Sequence, residues 1–292
     1  MMQVLLPVAG KDGVMHGYFE GVYAVNSDTL GDIKAGMTAG LALTLAIVLV
    51  TAAVLYSVIA ALNWSLVRLT TDLLKSNIEL MEVLGSAIAL RDSVTDMHNY
   101  RVTAYAMKMG KALRLPARQL RNLIAGAFLH DAGKIGVSDN ILLKPGPLTP
   151  AEMESMRRHV YLGVGIVANS GWLRGARDVV EFHHEKFDGS GYLKGLSGKA
   201  IPRNARVFAI IDVFDALTSR RAYKEPLPFD EAMAILERGR GTLFDPALLD
   251  VFQGIAAEIH GQISARDDSA LRRTVRSRVA EYFLFADETA RV

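Results

Sequence analysis

The chain contains no cysteine. This absence excludes disulfide bonds, thiolate metal ligands and cysteine nucleophiles. Its charge is also nearly balanced, because 33 basic and 31 acidic residues give a formal net charge of +2. We therefore expect no nucleic-acid polymer as a partner, since binding through bulk charge needs a strongly basic surface. Any metal site in this chain must use histidine nitrogen and carboxylate oxygen.

Charged side chains are missing from the segment Ala35–Val67. Its central part, Leu41–Leu62, consists mainly of Leu, Val, Ile and Ala. A helix across the apolar part of a bilayer takes roughly 20 such residues. The segment is too long, and too far from the first residue, for an ordinary signal peptide. We predict one transmembrane helix over residues 35–64, with a buried core helix as the alternative.

The charges on either side of this segment differ. Acidic residues outnumber basic ones before it, whereas Arg68 and Lys75 follow it. Basic residues favour the cytoplasmic side. The sequence thus predicts a single-pass protein of the inner (cytoplasmic) membrane with its catalytic domain in the cytoplasm. Residues 1–34 are then a short extracytoplasmic segment patterned as strand, turn and strand. An origin as the tail of a larger sensor domain is left open.

A second apolar pattern follows the predicted span, over a linker helix at residues 65–90. Apolar or small side chains recur there at alternating spacings of three and four residues, which is typical of a coiled-coil seam. We expect this signalling helix to pair with a second copy and form a homodimer. Packing against its own domain is the alternative. The seam consists of Leu66, Leu69, Leu73, Ser76, Leu80, Val83, Ala87 and Leu90.

Residues 84–280 are predicted to form one all-α domain. Thr149 and Glu152 bracket Pro150 in the pattern of a capping box, which predicts a helix start. We expect that helix to continue through His159. A run from Ala205 to Leu217 is predicted as a further helix with Asp212 on one face.

Most of the seven histidines lie near acidic residues in these helical segments. Histidine and aspartate are common ligands of divalent transition metals. The candidates are too many for one ion with open positions and suit a two-metal centre, which activates water and clamps the oxygens of a phosphate ester. The series is His98, His130, Asp131, His159, His183, His184 and Asp212.

Around these positions the chain resembles the HD-GYP family, the cyclic di-GMP phosphodiesterases of the HD metal-dependent phosphohydrolase superfamily. The resemblance covers about Leu84 to Ile255. It is carried by five segments: Arg91–His98, Leu129–Gly136, Lys144–Thr149, His183–Tyr192 and Asp212–Ser219.

This resemblance implies an HD-superfamily helical bundle and a hydrolase that opens cyclic di-GMP to linear pGpG, with GMP left open as a further product. It implies that the seven residues of the His/Asp series bind two divalent ions, most plausibly iron or manganese. Asp131 would bridge them, and Lys134 would lie near the scissile phosphate. Tyr192, Arg221 and Lys224 would contact substrate.

The sequence departs from the family pattern at two positions. Leu193 stands where the family has the Pro of Gly-Tyr-Pro, which frees a backbone torsion and restores an N–H group. Val94 stands where some relatives carry a carboxylate for a third metal. Two alternatives stay open: a catalytically silent cyclic di-GMP-binding signalling protein, and an HD phosphohydrolase that acts on another nucleotide.

Overall fold

The computed structural model describes residues 2–24, 26–89, 91, 97–220 and 225–284. The chain divides into two compact units, residues 1–69 and residues 70–292.

The first unit begins with an antiparallel hairpin of β1 (Met2–Ala9) and β2 (Met15–Tyr23). Gly13 adopts φ +76° in the turn, a conformation in which glycine avoids the steric cost of a Cβ atom. The strand–turn–strand prediction is confirmed.

Helix α1 (Ser27–Ala89) follows the hairpin and contains the predicted span and residues 65–89 of the predicted linker helix. An 18-residue window of this helix has a mean hydropathy of 2.6, and none of that window is buried within the protein. The helix is therefore long and apolar enough to cross a membrane, as judged by length and composition.

The second unit is helical in its described residues, apart from one bridge between Arg240 and Phe244. Short 3-10 turns at Ala132–Gly136, Arg174–Ala176 and Gly198–Ala200 join some of the helices. After α1, the helices are α2 (Met97–Ala112), α3 (Ala117–Leu129), α4 (Asp139–Leu142), α5 (Pro150–Arg157), α6 (His159–Ala168), α7 (Arg177–Phe182), α8 (Arg203–Thr218), α9 (Phe229–Arg238), α10 (Pro246–Ser264) and α11 (Asp268–Leu284).

The capping box at the start of α5 is confirmed. The Thr149 side chain accepts a hydrogen bond from the Glu152 N–H, and the Glu152 carboxylate accepts one from the Thr149 N–H. The expected continuation through His159 is wrong, because α5 ends at Arg157. Arg158 makes a tight turn in which its N–H donates to the Ser155 carbonyl, and His159 begins a separate helix.

Helix α8 lies at the centre of the core. Its Phe208 and Phe214 are fully buried. Phe214 packs edge-on against Tyr105 of α2 and Phe252 of α10, with ring centroids 5.4 and 5.1 Å away. Each fully buried phenylalanine contributes roughly 1.5–3 kcal/mol of transfer free energy. Asp212 lies between the two phenylalanines in sequence, so this packing fixes the helix that carries it.

The end of α1 packs on the helical domain through one face. Ile78, Met81 and Gly85 are buried, and the Gly85 carbonyl accepts a hydrogen bond from Asn99 Nδ2 at 3.2 Å. Buried Glu82 pairs with Arg276 of α11 at 2.7 Å. The predicted seam lies on another face. Its described members, Leu66 to Ala87, are exposed.

Candidate metal centre

Six potential metal ligands of the second unit form two groups. Within each group, one ligating atom per residue lies within 4.8 Å of the others. The groups are His98, His130 and Asp212, and His159, His183 and His184. They come from α2, α8, the start of α6 and the ends of α3 and α7, so residues far apart in the sequence converge on one place.

Asp131 lies between the two groups. Its Oδ2 is 3.1 Å from Nε2 of His130, and its Oδ1 is 3.5 Å from Nε2 of His159 and 4.0 Å from Nε2 of His183. One carboxylate therefore faces both groups with different oxygens. This is the arrangement that a carboxylate bridging two ions requires.

The backbone orients three of the imidazoles. Nδ1 of His130, His159 and His183 lies 2.7–3.1 Å from carbonyl oxygens three or four residues earlier in the chain. Because a carbonyl only accepts, Nδ1 must carry the proton, and in a neutral imidazole Nε2 then keeps its lone pair. Such outer hydrogen bonds fix the tautomer of metal-ligating histidines in general.

Two of these Nε2 atoms are buried without a hydrogen-bond partner, those of His159 and His183. A buried polar atom without a partner is costly and uncommon. A divalent ion would satisfy the lone pair on each atom, and imidazole nitrogen with carboxylate oxygen is a donor set that first-row transition metals accept. The residues present therefore fit a metal centre.

The protonation states also suit metal binding. Burial lowers the pKa of His159 and, more strongly, that of His183, where neighbouring imidazoles reinforce the effect. Burial and His159 lower the pKa of His184 to about 4. These three histidines are consequently neutral at pH 7, the form in which imidazole binds a metal.

The carboxyl group of Asp131 is ionised, because nearby positive groups outweigh the effect of burial. Burial alone would raise its pKa, but Lys134, His130 and His159 outweigh burial and hold the pKa well below the usual value. Nζ of Lys134 lies 2.8 Å from Oδ2 of Asp131. The ammonium group of Lys134 therefore lies inside the cluster, and its place near the scissile phosphate stays a prediction.

A glycine sets the approach of α6 to the His130–Asp131 turn. A Cβ atom added at Gly133 would overlap the backbone carbonyl of His159 and the backbone nitrogen of Gly163. Only glycine allows this contact, which brings His159 to Asp131. A similar contact joins α3 and α7, where Gly126 packs against the side chain of Val179.

The loop after the double histidine is held by one buried carboxylate. Glu185 accepts hydrogen bonds from the N–H groups of Lys194 and Gly195 through Oε1, at 2.7 and 3.1 Å, and from Leu196 through Oε2 at 3.1 Å. The loop carries Tyr192, whose ring stacks on His184 with centroids 4.7 Å apart. The sequence predicted a role for Tyr192 but none for Glu185.

Comparison with known proteins places this geometry in a family. The model of the HD domain family matches residues 82–248, which include every candidate metal ligand. The chain belongs to the HD domain family.

A probable cyclic di-GMP phosphodiesterase of Vibrio cholerae is 42% identical over 185 residues, 58% of this chain and 42% of that protein. A cyclic di-GMP phosphodiesterase response regulator of Xanthomonas campestris is 41% identical over 191 residues, 64% of this chain and 50% of that protein.

A solved structure supports the fold of this HD domain. A crystal structure described as a cyclic GMP-AMP specific phosphodiesterase of V. cholerae aligns with a TM-score of 0.50 and 19% identity, over 69% of this chain and 52% of that one. At this identity the likeness concerns the fold alone. The predicted HD-GYP resemblance and the mostly helical HD architecture are confirmed. The chain spans about half the length of the curated relatives it matches.

The HD domain also contains a residue whose role the sequence analysis missed. Buried Asp215 lies one helical turn after Asp212, and its Oδ2 is 2.7 Å from Nδ1 of His98. Arg101 donates to the same carboxylate from Nε at 2.6 Å and from Nη2 at 3.0 Å. Burial would raise the pKa of Asp215, but His98 and Arg101 hold it well below the usual range. Its spacing of three residues from Asp212 was the available signal.

Four singled-out positions fall outside the described residues, among them Leu90 at the end of the predicted seam. Arg221 and Lys224, predicted to contact substrate, lie in the segment 221–224, and Val94 lies in 92–96. Their roles stay predictions.

Proposed function

We propose that this HD-domain chain is a metal-dependent phosphodiesterase that hydrolyses cyclic di-GMP to the linear dinucleotide. The observation that carries the proposal is the placement of Asp131 between two groups of candidate ligands, one with two imidazoles and a carboxylate and the other with three imidazoles. The curated relatives described as cyclic di-GMP phosphodiesterases support the choice of substrate.

In this proposal, His98, His130 and Asp212 would hold one ion, His159, His183 and His184 would hold the other, and Asp131 would offer a carboxylate oxygen to each. Iron or manganese suits this nitrogen and oxygen donor set. Two bound ions supply Lewis acidity toward a phosphodiester and lower the pKa of an attacking water.

Residues of the chain orient the substrate and stabilise its negative charge. Lys134, next to Asp131, presents an ammonium group to a phosphate bound at the cluster, where it stabilises the negative charge that develops on the phosphate oxygens. Asp215 orients His98 through Nδ1. Arg221 and Lys224 are proposed to bind phosphate oxygens, for which a guanidinium offers two parallel donors.

Turnover of the full chain tests the proposal. The protein is purified without oxygen in detergent, loaded with Fe²⁺ or Mn²⁺, and given cyclic di-GMP, cyclic GMP-AMP and linear nucleotides, with products separated by chromatography. We expect linear pGpG from cyclic di-GMP and a lower rate for the other cyclic dinucleotide. Tight binding of cyclic di-GMP without any product would instead identify a silent signalling protein. Preferential cleavage of another nucleotide would reassign the substrate.

We further propose that α1 anchors the protein in the inner membrane through residues 35–64, with the catalytic domain in the cytoplasm. The apolar side chains of this segment are exposed, and the basic residues follow it. Fusions of a periplasmic reporter enzyme test the orientation. Activity is expected from a fusion before Ala35 and not from one after Val292, and the reverse result would overturn the assignment.

The exposed seam supports a homodimer. Leu73, Leu80 and Val83 are 58–66% exposed, while the other face of the same helix packs on the domain. Replacing Leu73 and Leu80 by Glu should lower the dimer fraction in sedimentation of the full chain in detergent, because buried like charges oppose pairing. Glu79→Gln, at an exposed position of the same helix, is the control. An unchanged dimer fraction in the double variant would place the dimer contact elsewhere.

A further inference from the structure

The ring of Tyr192 contacts two other side chains. His184 stacks on one face with centroids 4.7 Å apart and planes inclined by 25°. The guanidinium carbon of Arg157 lies 4.8 Å from the centre of the same ring. The ring therefore contacts both an imidazole of the candidate metal centre and a cation.

Arg157 has unused hydrogen-bonding capacity. Its Nε is buried without a hydrogen-bond partner among the described residues. Its contact with Glu154 is a loose one at 3.8 Å, to a carboxylate that is 74% exposed. A guanidinium carries five N–H donors and no acceptor. An anionic ligand with several oxygens would satisfy these donors.

The position of Arg157 relative to the cluster decides which phosphate it can reach. Lys134 lies inside the cluster, against Asp131. Arg157 contacts the ring of Tyr192, and that ring stacks on His184 of the cluster. A cyclic dinucleotide has two phosphates on opposite sides of one ring. When one phosphate occupies the cluster, the other must lie to its side.

Arg157 and Tyr192 are held by separate anchors. Arg157 is the last residue of α5, whose start is fixed by the Thr149–Glu152 capping box. Tyr192 belongs to the loop that Glu185 holds through three N–H groups. The cation is therefore positioned before substrate arrives, and little conformational entropy is lost on binding.

We propose that Arg157 binds the phosphate of the nucleotide that is not cleaved, and that Tyr192 is the positioning residue that holds its guanidinium. This inference rests on the proposed function. It assigns a substrate contact to a residue outside the HD-GYP motif segments, and it gives Tyr192 a role different from stacking on a base.

Kinetics of the metal-loaded full chain with two substrates test the proposal. Cyclic di-GMP has a second phosphate, whereas bis(p-nitrophenyl) phosphate has only the one that is cleaved. In Arg157→Ala we expect KM for cyclic di-GMP to rise roughly tenfold or more, as for loss of a hydrogen bond to a charged group. The loss in kcat/KM on the small diester should be clearly smaller. Arg158→Ala removes a neighbouring exposed arginine and is the matched control.

The role of Tyr192 has its own readout. Tyr192→Phe keeps the ring and should keep the KM for cyclic di-GMP near the wild-type value. Tyr192→Ala removes the platform and should raise KM as Arg157→Ala does, and the double variant should be no worse than either single one. Equal losses on both substrates in Arg157→Ala, or additive losses in the double variant, would overturn the proposal.

If the proposed function is wrong, a binding measurement still tests the contact between Arg157 and phosphate. If the wild-type chain loaded with metal cleaves neither substrate, calorimetric binding of cyclic di-GMP carries the test. Arg157→Ala should then raise Kd by the same factor. A Kd equal to that of wild type would refute the phosphate contact.

Discussion

Nδ1 of His98 lies 2.7 Å from Oδ2 of Asp215, a buried carboxylate that Arg101 holds with two further hydrogen bonds. The carboxylate fixes which nitrogen of His98 carries the proton and directs Nε2 toward Asp212, 3.5 Å away. The other candidate histidines with a described Nδ1 contact use backbone carbonyls instead. His98 is thus the candidate ligand whose orientation depends on another side chain and is open to mutation.

Asp215→Ala should weaken metal binding by roughly 10–100-fold, the usual effect of losing an outer-shell partner of a ligating histidine. Chelator competition and metal analysis of the purified chain measure it. Asp250→Asn, which changes an exposed carboxylate bound to Arg240, is the control. Wild-type metal affinity in Asp215→Ala would show that His98 needs no such support.

Asp131→Ala should abolish turnover and lower the metal content, because it removes the carboxylate that faces both groups. Lys134→Ala should slow hydrolysis by roughly a hundredfold, as when one stabilising donor is lost, and should keep the metal. Lys199→Ala, at an exposed position, is the control. Near-normal turnover by Asp131→Ala would contradict the two-metal mechanism.

Metal analysis should find two ions per chain, not three. Val94 offers no oxygen or nitrogen where some relatives carry a carboxylate. The two groups of candidate ligands account for two ions in the described part of the chain. Three equivalents that resist dialysis would require a ligand that the sequence did not predict.

Leu193→Pro should change KM by a modest factor, since Glu185 already holds the loop through residues 194–196. Glu185→Ala should raise KM for cyclic di-GMP more strongly, because it releases three N–H groups at once. Glu185→Gln keeps one acceptor oxygen, so its KM for cyclic di-GMP should lie between those of wild type and Glu185→Ala. A wild-type chain that is inactive with metal bound, but active as Leu193→Pro, would show that the loop decides function.

The capping box predicts a pH dependence of stability. Hydrogen bonds from Lys144 and from the Thr149 N–H lower the pKa of Glu152 from 4.5 to about 2. A lowered pKa stabilises the folded state above the unfolded pKa, and this contribution disappears as pH falls through the folded value. The difference in thermal midpoint between wild type and Glu152→Gln should therefore be constant above pH 5 and shrink toward pH 2. A difference in thermal midpoint that stays constant down to pH 2 would show that the ionised Glu152 carboxylate does not stabilise the folded state in this way.

Much of the site could be predicted because its residues lie in short local patterns. The His-Asp pair, the double histidine and Asp212 each occupy a helix or its end, and local sequence places them there. Glu185 and Arg157 were missed for a physical reason. Glu185 accepts from N–H groups nine to eleven residues later, and Arg157 contacts the ring of Tyr192, a residue distant in the sequence. Such contacts depend on the tertiary path of the loop.

In the fold, too, local sequence patterns predicted some features, whereas others depend on tertiary contacts. The hairpin, the long apolar helix and the capping box follow from periodicity and turn residues, and the structure contains them. The break between α5 and α6 was not predicted, because the apolar spacing of Met153, Met156 and His159 continues through it. At this break the His159 carbonyl lies against Gly133, a contact between elements that local spacing does not reveal.

The contact at Gly133 sets a lower limit to the distance between the two ligand groups, because backbone atoms in contact cannot approach further. Main-chain atoms of the His130–Asp131 turn touch main-chain atoms of α6, with no side chain between them. Side-chain packing can relax after a core mutation, whereas two backbones in contact cannot come closer. Mutations that loosen the surrounding core should therefore cost stability before they change the interval between the ligand groups. Gly133→Ala would do the reverse, with a single methyl group forcing the two halves of the site apart.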